Sequence, residues 1–383
     1  MGGGRLDEDL LVEGELLEGR WLVRKKLGSG GFGQVYAVLD KRLDKELAIK
    51  TEPRGKKEVL PIEAGVLEDL KGKPHCPPFY GFGGNQKMNF LVMEMLGRNL
   101  SDLRRDSPGD RACFSQRTAF LLALQGLEAL EDMHKKGHLH RDVKPSNYVM
   151  GREGTAYRRT VFLIDFGLSR KLYTASGELR EARPPGGFRG TVKYAAPAAH
   201  DCLDLGRRDD LVSHFYMVLE MCTGGLPWRR LKDKKEVGNC KKKTPLEDLC
   251  AGVPAQLLAF AQEIFGYKYE TEPDYERCKK LLATALEQAG GSRQSVLDWH
   301  DSWTHYLETL NKRNDPRGRL MRTASALTAT MGTSQMGAGG RTGNSRLSAE
   351  QLPAVQPPPQ PASVRSLVPP KSLLKSIKPS YRG

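Results

Sequence analysis

HLHRDVKPSN, from His138 to Asn147, is the stretch that settles the fold. It gathers three kinds of chemistry in one short loop. Asp142 can accept or orient the proton of an attacking hydroxyl. Lys144, two residues on, can neutralise charge on a phosphoryl group in transit, and Asn147 offers an amide oxygen to a divalent cation. Downstream, LIDFG places Asp165 23 residues after Asp142, behind the apolar strand VFLI. A carboxylate there would chelate the Mg²⁺ that bridges the β- and γ-phosphates of a nucleotide. A chance loop of charged residues would not be followed by a second metal-binding group in the right order.

Toward the N-terminus, LGSGGFGQV sets Gly28, Gly30 and Gly33 in a GxGxxG pattern. Two folds use that pattern. A dinucleotide fold needs a helix immediately afterwards, whereas here QVYAVLD alternates like a strand. The alternation favours a glycine-rich hairpin over ATP phosphates, where backbone without side chains can approach closely. Lys50 closes the next strand, LAIK, at a distance that puts its ammonium under this hairpin. KKEVLPIEAGVLEDL then has helical spacing, with Val59, Ile62, Val66, Leu67 and Leu70 on one face. Glu63 on that helix could reach back to Lys50 and hold it against the α- and β-phosphates. Pro61 is tolerable only if the helix starts beside it.

The wider pattern is α+β. Residues 21–95 read as period-2 strands with one helix, and 96–290 as mostly helices, with a cleft at their junction. Residues 1–20 read as an N-terminal extension. Residues 291–315 read as a helical extension, with Val296, Trp299, Trp303, Tyr306 and Leu310 at amphipathic spacing behind a Ser295–Asp298 capping pattern. From Pro316 the chain is rich in Gly, Ser, Thr and Pro and holds ten Lys/Arg against Glu350 alone. It therefore carries nine of the fourteen excess positive charges, and its composition predicts disorder. That tail lacks interleaved aromatics for stacking on bases, so nucleic acid is not expected as a partner.

No stretch is long and apolar enough for a membrane span, and the first residues lack the apolar core of a signal peptide. Seven scattered cysteines without a CxxC pair point to reduced thiols and a cytoplasmic or nuclear setting rather than a disulfide framework or a zinc site.

MEMLGRNLSDLRR, HLHRDVKPSNYVMG, LIDFGLSRKL, GGFRGTVKYAAPAAH, LGRRDDL and LPWRRLKDKKEVG together resemble the casein kinase 1 group of protein kinases, and within it the tau-tubulin kinases. The resemblance spans Leu27 to about Tyr275. It implies a bilobal protein-kinase fold, use of ATP and Mg²⁺, and transfer of the γ-phosphate to Ser/Thr of protein substrates by a non-specific serine/threonine protein kinase. Adenine would lie between Val35 and Ala48 above and Val149 below, with Leu27 in the same lining and Ile164 behind. Met93 would be the gatekeeper, and Glu94 to Leu96 the hinge. Thr191 would hydrogen-bond near Asp142 and Lys144 and seat the acceptor, while Asp210 would brace the catalytic loop. Ala196-Pro197-Ala198 stands where many kinases have Ala-Pro-Glu, as in other casein-kinase-like members.

Arg141, Arg170, Lys171, Arg189 and Lys193 are candidates for an anion-binding cluster near the substrate groove, which would favour acidic or already phosphorylated substrates. Cytoskeletal acidic partners are a further expectation, and a monomer is expected. The alternative is a catalytically weak pseudokinase scaffold. It predicts loss of Lys50, Asp142, Asn147 or Asp165, and all four are present.

Overall fold

Strands β2 (Trp21–Gly30), β3 (Gly33–Asp40) and β4 (Lys45–Pro53) form the antiparallel start of a sheet in a computed structural model of the chain. The structure describes residues 8–300 except 32, 56–57 and 108–111. The residues treated below, up to Leu297, lie in one compact unit.

The sheet is completed by β1 (Leu16–Leu17), β5 (Phe79–Gly84) and β6 (Met88–Glu94) in the order β1-β2-β3-β4-β6-β5. Alternation along each strand sorts the side chains between its faces. Tyr36 and Val38 of β3, Leu47 and Ile49 of β4, and Phe90 and Val92 of β6 share one buried core with Leu11, Leu17, Trp21 and Val23. The opposite face of β4 therefore presents Ala48, Lys50 and Glu52 together.

Residues 8–20, ahead of the first long strand, pack onto this sheet. Leu11 and Leu17 sit in that core, and Leu10 N–H donates to Gln34 Oε1 at 2.8 Å. Buried Arg20 pairs with Asp40, which also accepts from Trp21 Nε1. Residues 8–15 carry little strand periodicity of their own. Tertiary burial of two leucines holds them.

Helix α1 (Leu60–Asp69) packs on β5 and β6. It starts one residue before Pro61, where a missing N–H costs nothing. Its buried stripe is Leu60, Glu63, Ala64, Val66 and Leu67, whereas Ile62 is exposed. Of the expected apolar face, Val66, Leu67 and Leu70 are buried and Val59 half-buried, but Ile62 is exposed and Glu63, one turn before Leu67, faces inward in its place.

The second half is helical: α2 (Leu100–Arg105), α3 (Gln116–Lys135), α4 (Pro197–His200), α5 (Arg207–Thr223), α6 (Lys234–Lys243), α7 (Leu246–Leu249), α8 (Ala255–Gly266) and α9 (Tyr275–Gln288). Helix α5 is buried almost all round, with Val212, Phe215, Met217 and Val218 fully enclosed, so it is the axis on which α3 and α8 pack. Gly126 lets α3 approach it closely, since a Cβ there would stand 2.8 Å from the His214 ring. Short strands β7 (His138–Leu139) and β10 (Arg170–Lys171) pair, as do β8 (Tyr148–Met150) and β9 (Val161–Leu163). These strand pairs carry the loops of the site. The sheet-rich first part and helical second part make the α+β, two-lobed arrangement.

All seven cysteines are free. Among the described residues no helix is long and apolar enough to cross a membrane. The expected helix after Ser295 and the tail from Pro316 fall mostly outside the described residues. Of the former's apolar positions, Val296 is exposed and its neighbour Leu297 buried.

Candidate active site

Three side chains distant in sequence meet in the cleft between the sheet and the helices. Lys50 Nζ donates to Glu63 Oε2 at 2.6 Å and to Asp165 Oδ1 at 3.0 Å. Burial disfavours the charge on Lys50, but the two carboxylates outweigh it and raise its pKa, so the ammonium is retained. The two bonds join β4, α1 and the turn after β9. Asp165 has φ 66° and ψ 68°, a left-handed conformation uncommon for a non-glycine residue. Its side chain remains about a quarter exposed.

The loop after β7 is held from beneath by Asp210 of α5. That carboxylate accepts His140 N–H at 2.8 Å and Arg141 N–H at 2.7 Å, and His134 Nε2 lies 2.9 Å away. Burial pushes Asp210 up, but these hydrogen bonds and the imidazole keep it below its ordinary range. A fully buried carboxylate so bound fixes the backbone of Arg141, which adopts φ 66°, and with it the direction of Asp142.

Both oxygens of Asp142 are engaged. Lys144 Nζ donates to Oδ2 at 2.6 Å, and Thr191 Oγ1 donates to Oδ1 at 2.7 Å. Asn147 Nδ2 donates to Asp142 O at 2.9 Å, which leaves its amide oxygen available. Asp142 is therefore aimed by a cation and a hydroxyl, and Asn147 ends the short 3-10 segment Pro145–Asn147 that follows.

The glycines differ among themselves. A Cβ on Gly28 or Gly30 would meet nothing within 4 Å, so their backbone faces open space. Gly33 has φ +143°, and a Cβ there would stand 1.9 Å from Thr51 O. Its glycine is demanded by the approach of β3 to β4, not only by a ligand.

Register sets the lining: Ala37 pairs with Ala48, Val35 with Lys50, and Ala48 with Met93. Val35, Leu96 and Ile164 are half-buried and Leu27 exposed, while Ala48, Met93 and Val149 are buried. Glu94 is anchored through Oε2 to Lys45 Nζ and Tyr80 OH, each at 2.7 Å. Sequence reasoning missed that network, which steadies the segment joining the two lobes. It also missed Glu52, whose oxygens accept Val59 N–H at 2.7 Å and Leu60 N–H at 3.0 Å.

The basic candidates separate. Arg141, Arg170 and Arg189 converge, joined by Arg183. Burial first, then the charges of Arg189, Arg183 and Arg170, pull Arg141 down to about 10. Asp204 takes Arg170 and Arg183. Lys171 and Lys193 leave the group. Adjacent residues of a strand point to opposite faces, so Lys171 lies exposed on the other side of β10 from Arg170. Lys193 is captured by Glu220 of α5.

Asn147 and Asp165 fit a hard cation completed by phosphate oxygens, since Mg²⁺ is usually held by few protein ligands plus substrate phosphates. Among the described residues no cluster of three or more His, Cys, Asp or Glu offers an all-protein metal cage. A cavity of about 550 Å³ lined by Leu219, Leu226, Pro227 and Asp248 shares no residue with this cleft.

An ammonium between two carboxylates, beside an aimed carboxylate and a metal-ready amide, is the equipment phosphoryl transfer requires. Comparison with known proteins agrees. The protein kinase domain matches residues 21–304, and the chain belongs to that family. It is 41% identical over 287 residues to a Dictyostelium discoideum protein whose name assigns it to the serine/threonine-protein kinases, covering 75% of this chain and 57% of that one. It is 34% identical over 309 residues to a Caenorhabditis elegans protein named provisionally as a casein kinase I, covering 79% and 88%. The chain thus spans little more than half the length of the Dictyostelium relative.

Proposed function

We propose that this chain is an ATP- and Mg²⁺-dependent serine/threonine protein kinase of the casein kinase 1 type, most like the tau-tubulin kinases. The observation that carries this reading is the double engagement of Asp142 by Lys144 and Thr191, within one cleft with the Lys50–Glu63–Asp165 cluster.

In this reading Lys50 holds the α- and β-phosphates, with Glu63 fixing its position. Gly28 and Gly30 let backbone approach the phosphates, and Asn147 and Asp165 would hold Mg²⁺, which when bound would supply charge neutralisation for phosphoryl transfer. Leu27, Val35, Ala48, Val149 and Ile164 enclose the adenine, beside Met93 and the backbone from Glu94 to Leu96. Asp142 orients the acceptor hydroxyl and takes its proton. Lys144 offsets the charge on the phosphoryl group, and Thr191 seats the acceptor.

Arg141, Arg183 and Arg189 support a preference for acidic or phosphorylated residues beside the acceptor, because guanidinium groups brought together by the fold attract an anion. The stretch EARPPGGFRG ahead of Thr191 has no hydroxyl to phosphorylate, and the Lys50–Glu63 pair is closed without one. We read the enzyme as active without activation-loop phosphorylation, as a monomer in the cytoplasm or nucleus.

Asp142→Asn is the deciding experiment. Turnover of ATP and a protein acceptor should fall ~10²–10⁴-fold while nucleotide affinity is kept. Unchanged turnover would return the pseudokinase reading, in which the residual signal does not come from this site.

A further inference from the structure

The run RRLKDKKEVGNCKKK reads as a solvent-facing loop; its KKEVGNCKKK part is helix α6 instead, on which Lys234, Lys235, Lys242 and Lys243 are exposed. Lys241 is different: 3% of it is exposed. It lies one turn after Val237 and Gly238 on the inner face of α6. Gly238 brings that face against α4, since a Cβ there would stand 2.8 Å from His200 Cβ.

Each proton of the Lys241 ammonium has an acceptor. Nζ donates to Val192 O and Ala195 O, both at 2.7 Å, and lies 3.2 Å from His200 Nε2. His200 Nδ1 is 3.0 Å from Lys234 O. A proton on Nδ1 donates to that carbonyl and leaves Nε2 a lone pair for Lys241. Burial and then the charge of Lys241 hold His200 near 4, which keeps the ring neutral and able to accept. The rings of Tyr216 and Trp228 stand 5.1 and 5.2 Å from the same nitrogen. Burial pulls Lys241 down to about 7, but the geometry matches the charged form. An ammonium has three protons for three acceptors, whereas an amine would turn a lone pair toward one of them.

Val192 and Ala195 bracket the segment that follows Thr191. The rest of that segment is gripped from the same side. Trp228 Nε1 donates to Lys193 O at 2.8 Å, and Tyr194 OH donates to Glu220 Oε2 at 2.5 Å. Ala198 supplies no charged side chain to anchor the loop. We propose that Lys241 is a positioning residue for the protein acceptor: its ammonium fixes the carbonyls of Val192 and Ala195 and thereby the seat beside Asp142. This rests on the roles given to Asp142 and Thr191 above. Lys50, Asp165 and the adenine lining are not among its contacts, so its effect falls on the acceptor and not on the nucleotide.

The test is steady-state kinetics of the full chain with Mg-ATP and a synthetic serine peptide flanked by glutamates. Lys241→Met should raise the peptide KM ~10-fold or more and leave the ATP KM within about twofold. Lys241→Arg, which keeps the charge, should restore part of the peptide affinity. His200→Ala removes one of the three acceptors and should shift the peptide KM alone, by less; it carries the test if Lys241→Met does not fold. An unchanged peptide KM overturns the proposal. So does a parallel rise of both KM values with a lowered melting temperature, the mark of a general structural brace. Failure here with Asp142→Asn still inactive would leave the kinase reading standing, whereas an active Asp142→Asn would remove that reading itself.

Discussion

Glu52 of β4 and Glu63 of α1 tie strand to helix at the helix's first turn. Glu52 accepts the N–H groups of Val59 and Leu60, and Glu63 accepts the ammonium of Lys50. Since Lys50 and Glu52 lie on one face of β4, strand and helix are tied at two points. Val59 has no capping side chain of its own, so the cap arrives from the sheet.

Glu52→Ala should therefore destabilise the chain by ~1–2 kcal/mol, the usual range for loss of an N-cap with a favourable helix-dipole interaction. It should also lower kcat/KM for ATP. In a Glu63→Gln background the activity loss should be smaller than in wild type, because coupled residues are not additive. Fully additive losses in a double-mutant cycle would show that Glu52 does not act through the Lys50 pair.

Glu63→Gln by itself removes a charge from Lys50 while leaving Asp165 in place. Phosphate positioning should loosen, and kcat/KM should drop ~10–100-fold, about 1.4–2.7 kcal/mol of transition-state stabilisation. Chemical denaturation should show only a small stability change, since the retained amide still accepts a hydrogen bond. Wild-type turnover in this variant would count against Lys50 as a phosphate ligand.

Arg189 should decide the response to phosphorylated substrates. Arg189→Glu reverses a charge acting on Arg141 without touching Asp142. The ratio of kcat/KM for a phosphorylated over an unmodified peptide should fall ~10-fold, equivalent to about 1.4 kcal/mol. Equal losses on both peptides would assign Arg189 to general binding only.

Glu128 supplies a pH dependence. Burial raises its pKa, but His75 and Arg293 outweigh that and bring it from 4.5 to about 2, with Arg293 at 2.6 Å and His75 at 3.4 Å. The folded value lies below the unfolded one. The stabilisation is thus complete above about pH 4.5, declines as acid is added, and is gone below about pH 2. Glu128→Gln should cost ~1–2 kcal/mol near pH 7, after solvent screening of a partly exposed pair, and distinctly less near pH 3. A constant gap in urea unfolding at the two pH values would rule this out.

Legibility in the sequence followed the range of the interactions. HLHRDVKPSN and LIDFG could be read because their chemistry lies in short, ordered stretches. Lys50 could be placed because it closes an apolar strand that follows the glycine-rich hairpin, whereas Ala48 came from the family resemblance. Thr191 came from the family resemblance, and the structure adds its bond to Asp142 Oδ1. Glu63 was reached from its place on the helix after Lys50, with Pro61 accommodated at the helix start. The periodic argument put Ile62 with the buried Val66, Leu67 and Leu70, but Glu63 faces inward there, because its partner Lys50 comes from a separate strand that helix periodicity does not record.

The sequence by itself determined the order of the elements, the catalytic loop and the identity of the four charged or amide groups in the cleft. Tertiary structure decided what became of each remaining cation. Lys193 is spent on Glu220, Arg170 on Asp204, and Lys241 sinks into a basic run to bind two carbonyls. The reason is electrostatic. A charge is kept in the interior only where acceptors converge on it, and here they come from segments as many as 49 residues away. No local pattern records that convergence.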